Sequence, residues 1–353
     1  MENLKVVELA SVLAGPAVGM FFAELGASVT KVENRTTGGD VTRCWKAPGE
    51  DPQAAASAYY HSVNYHKTVW QKDLRDPSDR AEVKALIREA DIVISNFKTS
   101  SAIKLGMDPE SLRAENPRLI YAQLHAFGEG NDRPAFDIVL QAEAGFMYMT
   151  GEADRDPVRM PVALIDLLAA HQLKEGILLA LLKRQQSGRG SYVSTSLLEA
   201  AIASLANQAT NWLMAGHLPG RMGSQHPNIA PYGDVFYSKD GRPVVLAAGT
   251  ERQFEGLCRC LGLEGLKDDP RFVDNASRVR HREALRECLR PAFQHFDRRA
   301  LMAAFQAEGV PAGSIRNMQE VFELPQAQRM ILEQQEGEGY VSRRVRTVAF
   351  QIE

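Results

Sequence analysis

The chain reads as an α/β protein, with a doubly wound, Rossmann-like large domain and a smaller α+β domain. Three observations predict this. Short apolar runs of strand length alternate with helix-length segments over the first half of the chain. A stretch rich in Gly, Pro, Asn and His interrupts the pattern at 217–233. Beyond it the sequence opens on a hairpin and continues as helices. Strands that alternate with helices lie parallel in one sheet, with the connecting helices on its faces.

The elements follow in order. Leu4–Ala10 is a β run, and Gly15-Pro16 opens a helix whose first turn tolerates the missing proline N–H. That helix ends near Gly26, and Ser28–Glu33 is the next strand, completing a βαβ unit. A helix over about Pro77–Ala90 leads to a strand at Asp91–Ser95, and one near Pro109–Asn116 leads to Leu119–Leu124. Asp166–Lys183 is so apolar that most of its circumference is expected to be buried. After the Ser187–Gly190 turn come a strand at Ser191–Leu197 and a helix at Leu198–Met214. Asp234–Tyr237 and Pro243–Ala247 flank Lys239-Asp240-Gly241, a hairpin signal. Helices at Arg252–Leu261, Arg278–His295 and Arg298–Gly309 complete the small domain. The expected division is 1–216 for the large domain, 217–233 for a linker, 234–318 for the small domain and 319–353 for a C-terminal segment returning toward the large one.

Composition narrows the class. The 353 residues are 44% hydrophobic and 24% charged, with a formal net charge of −3, so neither nucleic acid nor an anionic membrane is an expected partner. The longest apolar stretch, Gly176–Leu182, falls short of the roughly 20 residues that a bilayer span requires. Met1–Lys5 runs into a strand without the features of a secretory signal. Cys258 and Cys260 are too close for a zinc knuckle, and Cys44 and Cys288 supply no second pair, so no metal site is expected. Few cysteines in a long chain point to a reducing cytoplasm. Gly15, Gly19 and Gly26 miss the spacing of a dinucleotide-binding loop, which leaves helix–sheet packing as their reading.

Several segments, taken in order, resemble the family III CoA-transferases. They are VVELASVLAGPAVGMFFAELGASVTKVEN from Val6, GGDVTRCW from Gly38, Asn64-Tyr-His-Lys67 and SNFKTSSAIKLGM from Ser95. Asn116–Tyr121, Phe127-Gly128, Phe136-Asp137, Gln141–Gly145, ALIDLLAA from Ala163, Ser187–Gly190, Pro231–Gly233 and Gly309–Pro311 complete the series. The resemblance spans nearly the whole chain. It implies coenzyme A and its thioesters as substrates, no permanently bound cofactor, a carboxylic acid acceptor and a homodimer of interlocked chains.

By position, the resemblance puts the nucleophilic carboxylate on Asp166, with Asp137 as an assisting acid. Asp166 also reads as the N-cap of its helix. The chemistry calls for an enzyme carboxylate, because an acceptor acid does not displace a thiolate from an unactivated thioester at useful rates. An aspartate splits that exchange into mixed anhydrides and an aspartyl-CoA thioester. The positions similar to the family's CoA contacts are Val12, Leu13, Arg35, Lys72, Arg75, Asn96, Phe97, Lys98, Lys104 and Leu105. Lys98 and Lys104 stand where many relatives carry Arg, and Arg35 stands in for a basic residue one position earlier. His125 reads as a packed, structural histidine. Phe136 replaces the histidine of the related racemase branch, which removes one of two bases for proton exchange at an α-carbon. A single Gly249 stands where formyl-CoA transferase has a run of glycines, and the sequence stops at Glu353 where relatives continue, so a shortened C-terminal return is expected. An acyl-CoA racemase or isomerase is the alternative activity, and a CoA-binding protein without catalysis is the rival from another class.

Overall fold

The computed structural model describes residues 1–337 and 340–352. The chain divides into two compact units, one of Met1–Phe146, Arg159–Ala209 and Gln326–Glu353, the other of Met147–Val158 and Thr210–Pro325. These bounds differ from those expected. Residues 217–233 lie inside the second unit rather than forming a linker, and Tyr232 and Gly233 already belong to a strand.

The first unit is built on a six-stranded sheet, all of whose neighbours run parallel. Its strands are β1 (Lys5–Leu9), β2 (Ser28–Asn34), β3 (Thr68–Lys72), β4 (Ile92–Ser95), β5 (Ile120–His125) and β6 (Tyr192–Ser196), in the order β3-β2-β1-β4-β5-β6. The order reverses between β1 and β4, and ligands of open α/β sheets bind outside the strand ends at such a switch point. β4 is buried along its whole length, as a parallel strand covered on both faces must be.

Helices cover both faces. α1 (Ala14–Glu24) and the long helix Leu164–Ser187 pack with Val6, Ile92, Ile94 and Ile120 on one face. α2 (Pro77–Arg88) and the helix Pro109–Glu115 pack with Val7, Val93 and Tyr121 on the other. The glycines of α1 serve this packing: a Cβ on Gly15 would collide with Ala10, and one on Gly19 with the Glu8 carboxylate. The long helix does not bury most of its circumference, contrary to what its apolar sequence suggests. Ile165, Ala169, Leu173 and Ile177 form its buried stripe, while Leu179 and Leu182 are exposed. The single helix expected at 198–214 is two, Leu197–Ala203 and Ala206–Ala215, with Ala206 at φ +47°.

A C-terminal hairpin, Ile331–Gly337 with Tyr340–Val345, belongs to the first unit. Beyond it Thr347 donates from its N–H and hydroxyl to Glu24 at 2.7 and 2.9 Å. The second unit has its own antiparallel sheet, Tyr232–Tyr237, Pro243–Ala247 and Ala312–Ser314, packed through Phe236, Val244 and Leu246 against Phe254, Phe293 and Phe305.

Candidate active site

Three adjoining cavities lie along the carboxyl ends of β1, β2, β4 and β5. One of about 410 Å³ is bounded by the ends of β1 and β2 and by Lys72, Leu74 and Arg75 after β3. A second, about 130 Å³, holds Asp166 together with Val12, Leu13, Ala14, Asn96, His125 and Phe136. A third, about 350 Å³, runs past Lys98, His125 and Arg133. Ser11 lines the first and second, Asn96 the second and third, and Phe97 the first and third, so the three form one groove.

Asn96 closes the crevice at the switch point. Its amide donates to the Ser11 carbonyl at 3.0 Å and its Oδ1 accepts the Ser11 N–H at 3.3 Å, tying the end of β4 to the end of β1. The next residue, Val12, has φ +74°. A β-branched residue in the left-handed region carries strain on the order of 1–3 kcal/mol, and surrounding structure must hold it there. The Asp40 carboxylate does so, accepting the Val12 N–H at 3.2 and 3.4 Å. α1 then begins, and among the described residues no acceptor is found for the N–H groups of Leu13, Ala14 and Gly15.

Asp166 is the third residue of the long helix and only 8% exposed. It is not the cap that its position before an apolar run suggests. Asp137 takes that part, its Oδ1 accepting the N–H of Ile165 at 2.7 Å and of Asp166 at 3.2 Å. The Asp166 carboxylate accepts no hydrogen bond among the described residues. Burial, with the neighbouring Asp137 carboxylate adding to it, pushes its pKa up to about 7. Tyr59, stacked edge-on with Trp45, senses the same carboxylates: burial first, then Asp166 and Asp137, raise its phenol to about 12.

Beside this groove lies a buried charge cluster. Lys31 meets Glu8 at 2.9 Å, Asp40 at 3.0 Å and the Ala10 carbonyl at 2.8 Å. Lys67 meets the other oxygen of Glu8 at 2.8 Å, the Pro16 carbonyl at 2.9 Å and Asn64 at 3.0 Å. Each ammonium therefore has three acceptors for its three protons. Burial opposes the charge on Lys31, but Glu8 and Asp40 outweigh it and hold the pKa above its ordinary value. On Lys67 burial wins over Glu8 and lowers the pKa to about 8.

Comparison with known proteins settles the kinship. The family model described as CoA-transferase family III matches residues 1–352. The chain belongs to CoA-transferase family III. It is 39% identical over 347 residues to a succinate–glutarate CoA-transferase of Agrobacterium fabrum, covering 96% of this chain and 86% of that one. An acetyl-CoA:oxalate CoA-transferase of Acetobacter aceti is 33% identical over 329 residues, covering 92% and 83%. The crystal structure of a CAIB/BAIF family protein from Brucella suis, 38% identical, superposes with a TM-score of 0.85 over 99% of this chain and 92% of that one. The chain is thus an enzyme of the CoA-transferase class.

Within this family III fold most of the residues singled out from the sequence come together. Val12, Leu13, Asn96 and Asp166 line the small cavity, and Lys72, Arg75, Phe97 and Leu105 the large one. Lys98 lies on the third. Arg35 and Lys104 line none of the three: Arg35 pairs with Asp79 at 2.8 Å, and Lys104 is exposed on the last turn of the helix Thr99–Leu105. Arg75 and Lys72 reach the groove while paired with Asp73 and with Asp79 and Glu82. His125, read as packed or hydrogen-bonded, lines two cavities and has a buried Nε2 without a partner among the described residues, and burial lowers its pKa.

Sequence reasoning assigned no role to Glu8, Lys31, Asp40, Lys67 or Tyr59. For the first two a signal existed, while Asp40 and Lys67 stood inside the segments GGDVTRCW and Asn64–Lys67 without a role of their own. Glu8 and Lys31 interrupt strands at the middle of a parallel sheet, where a charge must find a buried partner. For Tyr59 there was none, because only the folded chain brings it to the carboxylates.

Proposed function

We propose that the protein moves coenzyme A from an acyl-CoA donor to a carboxylic acid through covalent intermediates on Asp166. One observation carries this reading: a buried carboxylate that accepts no hydrogen bond among the described residues lines a cavity at the switch point, with the first residues of α1 on the same cavity. A largely buried carboxylate that is not tied up in hydrogen bonds keeps its electron pairs available for attack. An Asp166 oxygen attacks the thioester carbonyl carbon, the C–S bond breaks and CoA leaves as thiolate, forming an acyl-aspartyl anhydride. The thiolate then attacks the aspartyl carbonyl, releasing the donor acid and leaving an aspartyl-CoA thioester. The acceptor carboxylate attacks that thioester and expels the thiolate, which opens the second anhydride to form the new acyl-CoA and free Asp166. Leu13 and Ala14 line the same cavity, and their N–H groups suit the oxyanions formed on the way.

CoA itself fits the groove by chemistry. Arg75, Lys72 and Lys98 offer charge to its phosphates, while Phe97 and Leu105 offer apolar surface to its adenine or pantetheine. Relatives are named for succinate, glutarate, oxalate and mesaconate, so short dicarboxylic acids are the proposed acceptors. The proposal includes action in the cytoplasm, which suits four free cysteines, and a homodimer of interlocked chains, which suits the exposed Leu179 and Leu182. Among the described residues no helix is long and apolar enough to cross a membrane.

The test is mass spectrometry of the protein after incubation with acyl-CoA and no acceptor. A CoA adduct on the peptide carrying Asp166 is expected. Exchange of the donor's α-proton without an adduct points instead to a racemase, and absence of turnover with every thioester to a binding protein. Threaded chains yield no folded monomer on dilution, so a native monomer at nanomolar concentration by ultracentrifugation removes the interlocked assembly alone.

A further inference from the structure

We infer that Asp40 is a positioning residue for the transfer reaction: its buried carboxylate holds Val12 in the left-handed conformation and so presents the opening of α1 to the cavity containing Asp166. The inference rests on the reading of Asp166 as nucleophile. Val12 stands at φ +74° with both neighbouring attachments occupied. On one side Ser11 is clamped by Asn96, and on the other Leu13 and Ala14 lead into α1 and line the cavity. A branched side chain is crowded in this region, so an unbraced valine would leave it and the turn that follows would move with it.

The brace is over-determined. Besides the Val12 N–H, Asp40 accepts the Thr42 N–H at 3.0 Å and its hydroxyl at 2.8 Å, and it pairs with Lys31 at 3.0 Å. Lys31 is in turn held by Glu8 and the Ala10 carbonyl. The cluster thus links the strand β2 to the turn after β1, where a displacement of about 1 Å costs on the order of 10²-fold in turnover.

A double-mutant cycle tests this in the full-length enzyme, with succinyl-CoA as donor and glutarate as acceptor. Asp40→Asn keeps the shape but turns an amide N–H toward Lys31 and the Val12 N–H. Val12→Gly removes the need for a brace, because glycine adopts positive φ without strain. Asp40→Asn is expected to lower kcat by about 30-fold or more, with KM for the donor changed less than about threefold. In the V12G background the same substitution is expected to cost less than about threefold. Equal losses in both backgrounds overturn the inference, since a merely structural Asp40 would act regardless of residue 12. If D40N does not fold by circular dichroism, Thr42→Ala replaces it, removing one hydrogen bond from the same carboxylate. Coupling to V12G of at least about threefold then supports the inference, and additivity overturns it. The cycle reads the Val12–Asp40 coupling whichever group is the nucleophile, so an active D166N enzyme removes the proposed function without deciding this result.

Discussion

Lys31 and Lys67 are buried as deeply as the aliphatic core, yet each of their protons has an acceptor and their charges are balanced by Glu8 and Asp40. Asp166, on the same unit, is almost as buried and has no hydrogen-bonding partner for its carboxylate among the described residues. The difference separates scaffold from chemistry. A saturated cluster fixes the geometry of the strand ends, because breaking any link strands a charge in a low-dielectric interior. An unsaturated carboxylate contributes nothing to that rigidity and is free to form a bond.

The sharpest break would come at Asp166. Asp166→Asn keeps the shape and is expected to lower turnover by about 10³-fold or more while leaving the circular dichroism unchanged. Near-normal turnover would erase the contrast. On the other side, Glu8→Gln leaves Asp40 as the one carboxylate for two buried lysines and is expected to destabilise the protein by about 3–5 kcal/mol in urea unfolding. A loss within experimental error would show that the cluster is not the frame described here.

Titration sharpens the comparison further. The raised pKa of Asp166, about 7, means that the folded chain keeps a proton that the unfolded chain has already released. Its contribution to stability is therefore full below the ordinary carboxylate range and is lost as pH rises through 7. Asp166→Asn cannot ionise, so above pH 7 it is expected to be more stable than the wild type by about 2–4 kcal/mol, with no difference in that direction near pH 4. In the wild type, kcat/KM for the donor falls about tenfold per pH unit below 7, since only the carboxylate attacks. A pH-independent stability difference would place the titration elsewhere.

The smallest effects belong to the exposed cations of the groove. Arg75→Gln and Lys98→Gln are each expected to raise KM for the CoA thioester about threefold, less at high salt. Arg35→Gln, whose partner is Asp79 and which lines no cavity, is expected to change it less than about twofold. A larger effect at Arg35 than at Arg75 would move the phosphate subsite.

The alternation of strands and helices, the parallel α/β sheet and the family were legible in the sequence. A parallel sheet covered on both faces imposes near-continuous apolar runs such as Ile92–Ile94, and those runs are written in consecutive residues. ALIDLLAA pointed to Asp166, which lines the small cavity, though its local reading as a cap was wrong: the helix starts two residues earlier and is capped by Asp137 from another segment. The paired state of Lys31, Glu8, Asp40 and Lys67, the strain at Val12 and the orphaned Nε2 of His125 were decided only by the tertiary structure. Sequence shows that a charge is present. Whether it is solvated, paired or left bare depends on which distant residues the fold brings within about 3 Å, and that distance sets both its energy and its chemistry.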